Sequence, residues 1–97
     1  CAVALATDLN PGSCCSGSIP LTFALACIYM NLSVEEAITA MTLNGAAAIG
    51  RADRIGSIEV GKQGDLVVLD ADTPAILPYY TGMNAVRNTI KRGKIIY

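Results

Sequence analysis

The first seven residues, Cys1-Ala-Val-Ala-Leu-Ala-Thr7, form an apolar run that is stopped by Asp8 and then by Asn10-Pro11-Gly12. A strand apolar on both faces is buried only where layers cover it from both sides, as in a parallel sheet flanked by helices. A buried helix turn shares the pattern, and the turn residues that follow favour the strand. The expectation is therefore an α/β architecture with residues 1–8 as a strand. With 97 residues, the chain is far short of the roughly 250 of a complete (β/α)8 barrel.

Composition adds that such a strand needs company. Hydrophobic residues make up 53% and charged residues 15%, with a mean hydropathy of +0.47, whereas a soluble surface carries about 25–35% charged side chains. Part of the surface is expected to lie against another body, either the remainder of a longer parent chain or a second copy. Size scaling gives a compact monomer of this mass about 5,300 Å² of surface against roughly 14,600 Å² unfolded, enough burial for one modest core.

Seven Lys and Arg against eight Asp and Glu leave a net charge of −1, which supplies no field for a nucleic-acid backbone. The apolar run from Leu21 to Met30 is too short to span a bilayer, so neither nucleic acid nor membrane is an expected partner. Without a basic n-region or an initiating Met, the chain reads as cut from a longer parent and not as led by a signal peptide. Cys1, Cys14, Cys15 and Cys27 match no secreted disulfide framework and supply too few ligands for a zinc site. A reducing, cytoplasmic location is expected.

Along the chain, the spacing of apolar residues predicts a helix from Pro20 to about Asn31, with Pro20 in the first turn and apolar residues on nearly every side. Ser33 and Glu36 match a capping box before a second helix over 34 to about 42. Residues 46–49 read as a further helical turn closed by a left-handed Gly50. After Arg51 the character changes. Asp65-Leu-Val-Val-Leu-Asp70 reads as a strand, and 86–91 with 94–97 as an antiparallel hairpin around Arg92-Gly93. Residues 71–85 are expected to be an aromatic-packed loop, with a one-turn helix near 82–87. The division falls into 1–55, largely helical after the first strand, and 56–97, a small sheet region.

Asp8 is the leading candidate for chemistry, because in parallel α/β folds ligands bind where loops converge at the carboxyl ends of strands. Its position suits a metal ligand or general base; alternatively its carboxylate binds the amides of the following turn. Asn10, Gly12 and Ser13 are candidates to contact a polar substrate, or simply make the turn that Asn-Pro-Gly favours. Glu35 and Glu36 are first-turn acids favoured by the helix dipole. Gly56-Ser-Ile-Glu-Val-Gly-Lys-Gln-Gly64 lacks the spacing of a phosphate-binding loop. With no His in the sequence, this chain supplies no histidine base and no His-rich metal site.

The residues Ala6-Thr-Asp-Leu-Asn-Pro-Gly-Ser13, Ser33-Val-Glu-Glu-Ala-Ile38, Thr42-Leu-Asn44, Gly50-Arg-Ala-Asp53, Gly56-Ser-Ile-Glu-Val-Gly-Lys62, Asp65-Leu-Val-Val-Leu-Asp70 and Leu77-Pro-Tyr79 converge on one resemblance. The chain resembles the C-terminal part of the metal-dependent amidohydrolase superfamily. Within it, the Asp-Leu-Asn-Pro-Gly-Ser run points to the branch that opens the ring amide of 4-imidazolone-5-propanoate, giving N-formimidoyl-L-glutamate in histidine degradation. The resemblance implies that residues 1–8 are the eighth barrel strand, that the helices to residue 55 close the barrel, and that 56–97 are the C-terminal share of a composite β domain.

It also implies that Asp8 binds or faces a single divalent metal, zinc or iron, and helps catalysis, while Asn10, Gly12 and Ser13 contact the small-molecule substrate or product. The histidine ligands would lie upstream of Cys1, so the 97 residues alone are expected to hold no metal and to be inactive. Another amidohydrolase, acting on a cyclic amide or a nucleobase, and a noncatalytic structural module are the competing readings. Cys14-Cys15 and Gly64 depart from the residues usual in the family at those positions.

Overall fold

The structure, a computed structural model, describes residues 1–97. Three helices come first: α1 (Ile19–Ile28), α2 (Val34–Met41) and α3 (Leu43–Ala48). They are followed by β1 (Leu66–Leu69), a one-turn α4 (Ile76–Tyr79), β2 (Val86–Lys91) and β3 (Lys94–Ile95).

Local chemistry sets the helix ends. Ser18 Oγ accepts the Leu21 N–H at 3.3 Å ahead of Pro20 in the first turn of α1. The helix stops as Asn31 turns left-handed (φ 57°) and the Leu32 N–H reaches back to the Ala26 carbonyl at 3.1 Å. In α2 both halves of the capping box form, Glu36 N–H to Ser33 Oγ at 3.1 Å and Ser33 N–H to Glu36 Oε2 at 2.8 Å. Beyond α3, Gly50 takes φ 68° while the Arg51 N–H bonds the Ala46 carbonyl at 2.8 Å. Gly56 is required by space as well as by its φ of 96°, since a Cβ there would stand 2.6 Å from Ala46 Cβ.

The helical core is small and rich in alanine. Phe23, 3% exposed, packs with Ala26 and Ala37, and Leu5, Cys27, Leu32, Val34, Ile38, Met41 and Leu77 close around them. Only one side of α1 is covered: Leu21, Leu25 and Ile28 stay exposed on the other. This is half of what its all-round apolar character demands.

The sheet is open and antiparallel, in the order β1-β2-β3. Leu66 pairs with Ile90 and Val68 with Asn88, and a bulge then sets Leu69 against Val86. Arg92 (φ 50°) and Gly93 (φ 75°) make the two-residue turn expected of the β2–β3 hairpin.

Two expectations are corrected. Residues 1–9 enter no sheet, because no strand lies beside them to complete a ladder. The segment is held instead by Leu5 N–H to the Ala40 carbonyl at 3.2 Å and Asn44 Nδ2 to the Val3 carbonyl at 2.8 Å. The short helix expected near 82–87 lies at 76–79. There Thr73 Oγ1 accepts the Ala75 N–H at 3.3 Å and Leu77 reaches the Phe23 cluster, whereas Gly82 at φ 86° leaves helical geometry.

Candidate functional site

The candidate site is the loop from Thr7 to Ser16, and Asn10 organises it. Its Oδ1 accepts the backbone N–H groups of Gly12 (2.9 Å) and Ser13 (2.8 Å), and its Nδ2 donates to the Asp8 carbonyl at 2.6 Å and to Ser13 Oγ at 3.2 Å. Across the turn, the Asn10 N–H donates to the Cys14 carbonyl at 2.7 Å. Side-chain mimicry of a backbone turn is what Asn offers where Pro and Gly follow.

This arrangement leaves the Asp8 side chain free. Asp8 is exposed, sits in the left-handed region at φ 53°, and makes no hydrogen bond through its carboxylate; only its carbonyl is engaged, by Asn10. The turn-forming reading of Asp8 therefore describes Asn10 instead. A non-glycine residue in that region costs about 1 kcal/mol or more, and the Asn10 bond to the Asp8 carbonyl helps hold it there.

Thr7 is tied in from both directions. Its Oγ1 accepts the Leu9 N–H at 3.4 Å, and its carbonyl accepts the half-buried Cys14 thiol at 3.2 Å. That thiol also reaches the Ser16 carbonyl at 3.6 Å. The loop thus brings Asp8, Asn10, Gly12 and Ser13 together, but the side chain of Asn10 and the N–H groups of Gly12 and Ser13 are engaged with one another. The part of Cys14 as a latch on the residue before Asp8 carries no sequence signal, because the contact spans seven residues without a motif.

Other polar clusters are satisfied within themselves. Lys62 Nζ donates to Ser57 Oγ at 2.6 Å and pairs with Glu59 Oε1 at 3.1 Å, which is an ion-paired brace with no free phosphate-binding group. The Ser57 hydroxyl and then Lys62 hold the Glu59 carboxyl below its usual range. Glu36 is engaged in the cap of α2. Burial, and then the nearby Glu35 charge, push the Cys27 thiol up. Nowhere do three or more His, Cys, Asp or Glu side chains come together as a metal would require, so Asp8 is a lone candidate ligand. No helix is long and apolar enough to cross a membrane.

A mixed α/β chain with a free aspartate on an Asn-organised loop and an open sheet is the setting in which known proteins become informative. The sequence profile of the Amidohydrolase family matches residues 2–96, and the chain belongs to that family. Within it, the imidazolonepropionase of Phocaeicola vulgatus is 80% identical over 97 residues, covering 100% of this chain and 23% of that protein. The chain thus spans about a quarter of the length of the curated relatives it matches. Among solved structures, molinate hydrolase superposes with a TM-score of 0.67 at 34% identity over 82% of this chain and 16% of its own. A zinc-bound adenosine deaminase from Xanthomonas campestris gives 0.62 at 38% identity over 78% and 20%.

Proposed function

We propose that this chain is the C-terminal part of an imidazolonepropionase, and that in the whole enzyme its Asp8 loop serves hydrolysis of the ring amide of 4-imidazolone-5-propanoate to N-formimidoyl-L-glutamate. The observation that carries the role of Asp8 is its free carboxylate, exposed while Asn10 takes the turn amides that would otherwise bind it. Identity of 80% to an imidazolonepropionase supports the substrate.

The domain reading accompanies this: residues 1–55 as the end of the barrel and 56–97 as part of a composite β domain, with α4 returning to pack on α1. Four free cysteines suit a reducing, cytoplasmic setting.

An unpartnered carboxylate fits one position of a divalent zinc or iron site, and the remaining ligands belong to residues outside this chain. Such an ion would supply Lewis acidity, making water ionisable near neutral pH. Asp8 would hold it at one carboxylate oxygen and accept a proton at the other. Ser13 Oγ, which touches only Asn10, keeps an acceptor lone pair for the substrate. Asn10 and Gly12 shape the backbone beside the product. One ligand does not define a metal centre, so the 97 residues by themselves are expected to show no turnover.

In the whole enzyme, Asp8→Ala and Asp8→Asn are expected to lower turnover of the imidazolone by about 10²–10⁴-fold, with metal content measured alongside. Undiminished turnover at full metal content would remove Asp8 from the mechanism. The likeness to an adenosine deaminase favours nucleobase chemistry as the second reading. Preference for adenosine over the imidazolone in a side-by-side substrate panel would establish it in place of the first.

A further inference from the structure

Cys14 and Cys15 are adjacent in sequence and placed differently: Cys14 is half-buried with its thiol donating to the Thr7 carbonyl at 3.2 Å, while Cys15 is exposed and makes no hydrogen bond. Neighbouring Cα atoms stand about 3.8 Å apart, short of the roughly 4.4–6.8 Å that disulfides span, so a direct S–S bond between them is strained. A single soft atom inserted between the sulfurs relaxes that constraint, since thiolates favour soft centres and the bridge is longer than a disulfide. The number of ligands selects which centre. No third His, Cys, Asp or Glu joins the pair, so a zinc-like ion lacks the four ligands of its tetrahedral sites. A pyramidal trivalent centre needs only the two thiols and keeps a hydroxyl as its third group.

We propose that Cys14 and Cys15 form a two-thiol trap for trivalent arsenic, supplied as arsenous acid, and that filling it releases the Asp8 loop and stops turnover; the second half rests on the function proposed above. The step is a double ligand exchange. Two As–S bonds replace two As–O bonds, the two thiol protons leave with the displaced hydroxides as two waters, and no electron is transferred.

The structural consequence follows from the latch. Once bonded to arsenic, the Cys14 sulfur has no proton to donate to the Thr7 and Ser16 carbonyls. Thr7 directly precedes Asp8, so one end of the turn loses its hold; the Cys14 carbonyl bonds the Asn10 N–H at 2.7 Å, so a shift of Cys14 as its sulfur turns toward Cys15 pulls on the other end.

The test treats the whole enzyme with arsenite and reads intact mass, amide exchange at Asn10 and turnover. Wild type should gain one arsenic more than Cys15→Ser, exchange the Asn10 amide faster, and lose turnover by about 10²-fold, the scale of an ångström misplacement at a reacting group. A dithiol should reverse all three. Cys15→Ser, which removes an exposed thiol that makes no hydrogen bond, should fold, keep wild-type turnover and resist arsenite. Equal arsenic uptake by wild type and Cys15→Ser overturns the trap. Uptake without change in Asn10 exchange or in turnover overturns the latch. An unmodified enzyme inactive on the imidazolone instead refutes the proposed function, while mass and exchange still decide the trap and its effect on the loop.

Discussion

With its Oδ1 between two backbone N–H groups and its Nδ2 on the Asp8 carbonyl and the Ser13 hydroxyl, the side chain of Asn10 fixes where the Asp8 carboxylate stands without touching it. Asn10→Ala would expose the Gly12 and Ser13 amides to water, a loss of about 1 kcal/mol, because solvent replaces much of each bond at an exposed site. The larger effect is on geometry. Asp8 loses the contact at its carbonyl and leaves φ 53°, so turnover should fall more than stability does. Asn10→Asp keeps the acceptor for both amides but loses the donor to the Asp8 carbonyl, and it adds a second negative charge nearby. It should therefore restore stability in urea denaturation without restoring kcat, and equal recovery of both would place Asn10 in a purely structural role. The sequence marked this loop but did not divide its labour: Asp and Asn both form such turns, and only the observed bonds show which one is left free.

The sheet is clasped by Asp65, at the entry to β1. Its Oδ2 accepts Lys91 Nζ at 2.5 Å and Gln63 Nε2 at 2.7 Å, and its Oδ1 accepts the Arg92 N–H at 2.9 Å. The Lys91 bond first, and then the Arg92 amide, hold its carboxyl down to about 2, against about 3.9 in an unfolded chain. A carboxyl depressed in the folded state stabilises above the unfolded value, and that contribution disappears as pH falls from about 4 through 2. The Arg92 amide should therefore exchange at a protection independent of pH above about 5 and lose protection on acidification. In Asp65→Asn that acid-dependent step should vanish, whereas an unchanged step would assign it to another carboxyl. Elements whose signals are local were legible: the Ser33–Glu36 box, Pro20 at the start of α1, Gly50 after α3 and the Arg92-Gly93 turn each require only their neighbours in sequence. The strand expected at 1–8 and the helix turn at 76–79 depend on partners distant in the chain, a ladder neighbour in the first case and Phe23 in the second, and periodicity carries neither.

At the scale of the molecule, the chain exposes 6872 Å², about 1,600 Å² beyond a compact monomer of its mass. Six of 97 residues are buried, five of them alanines, so most large apolar side chains remain in contact with water. Leu21, Leu25 and Ile28 line the open side of α1, Val67 and Val68 stand exposed on β1, and Ile58 and Val60 project between α3 and β1. The excess area is about twice what one partner buries in a standard protein interface, and it was foreshadowed by a mean hydropathy of +0.47 with only 15% charged residues. What composition left open was its location, because burial depends on which faces the helices and sheet turn toward each other. At about 25 cal/mol per Å², covering even half of the surplus outweighs the small net charge of −1 that would keep copies apart. The 97 residues in isolation should therefore associate, with a light-scattering mass above 10.1 kDa that rises with concentration. Leu25→Lys, on the open side of α1 and outside the Asp8 loop, should shift the distribution toward monomer. A stable, dilute monomer of the unsubstituted chain would mean that these apolar faces find cover within the chain itself.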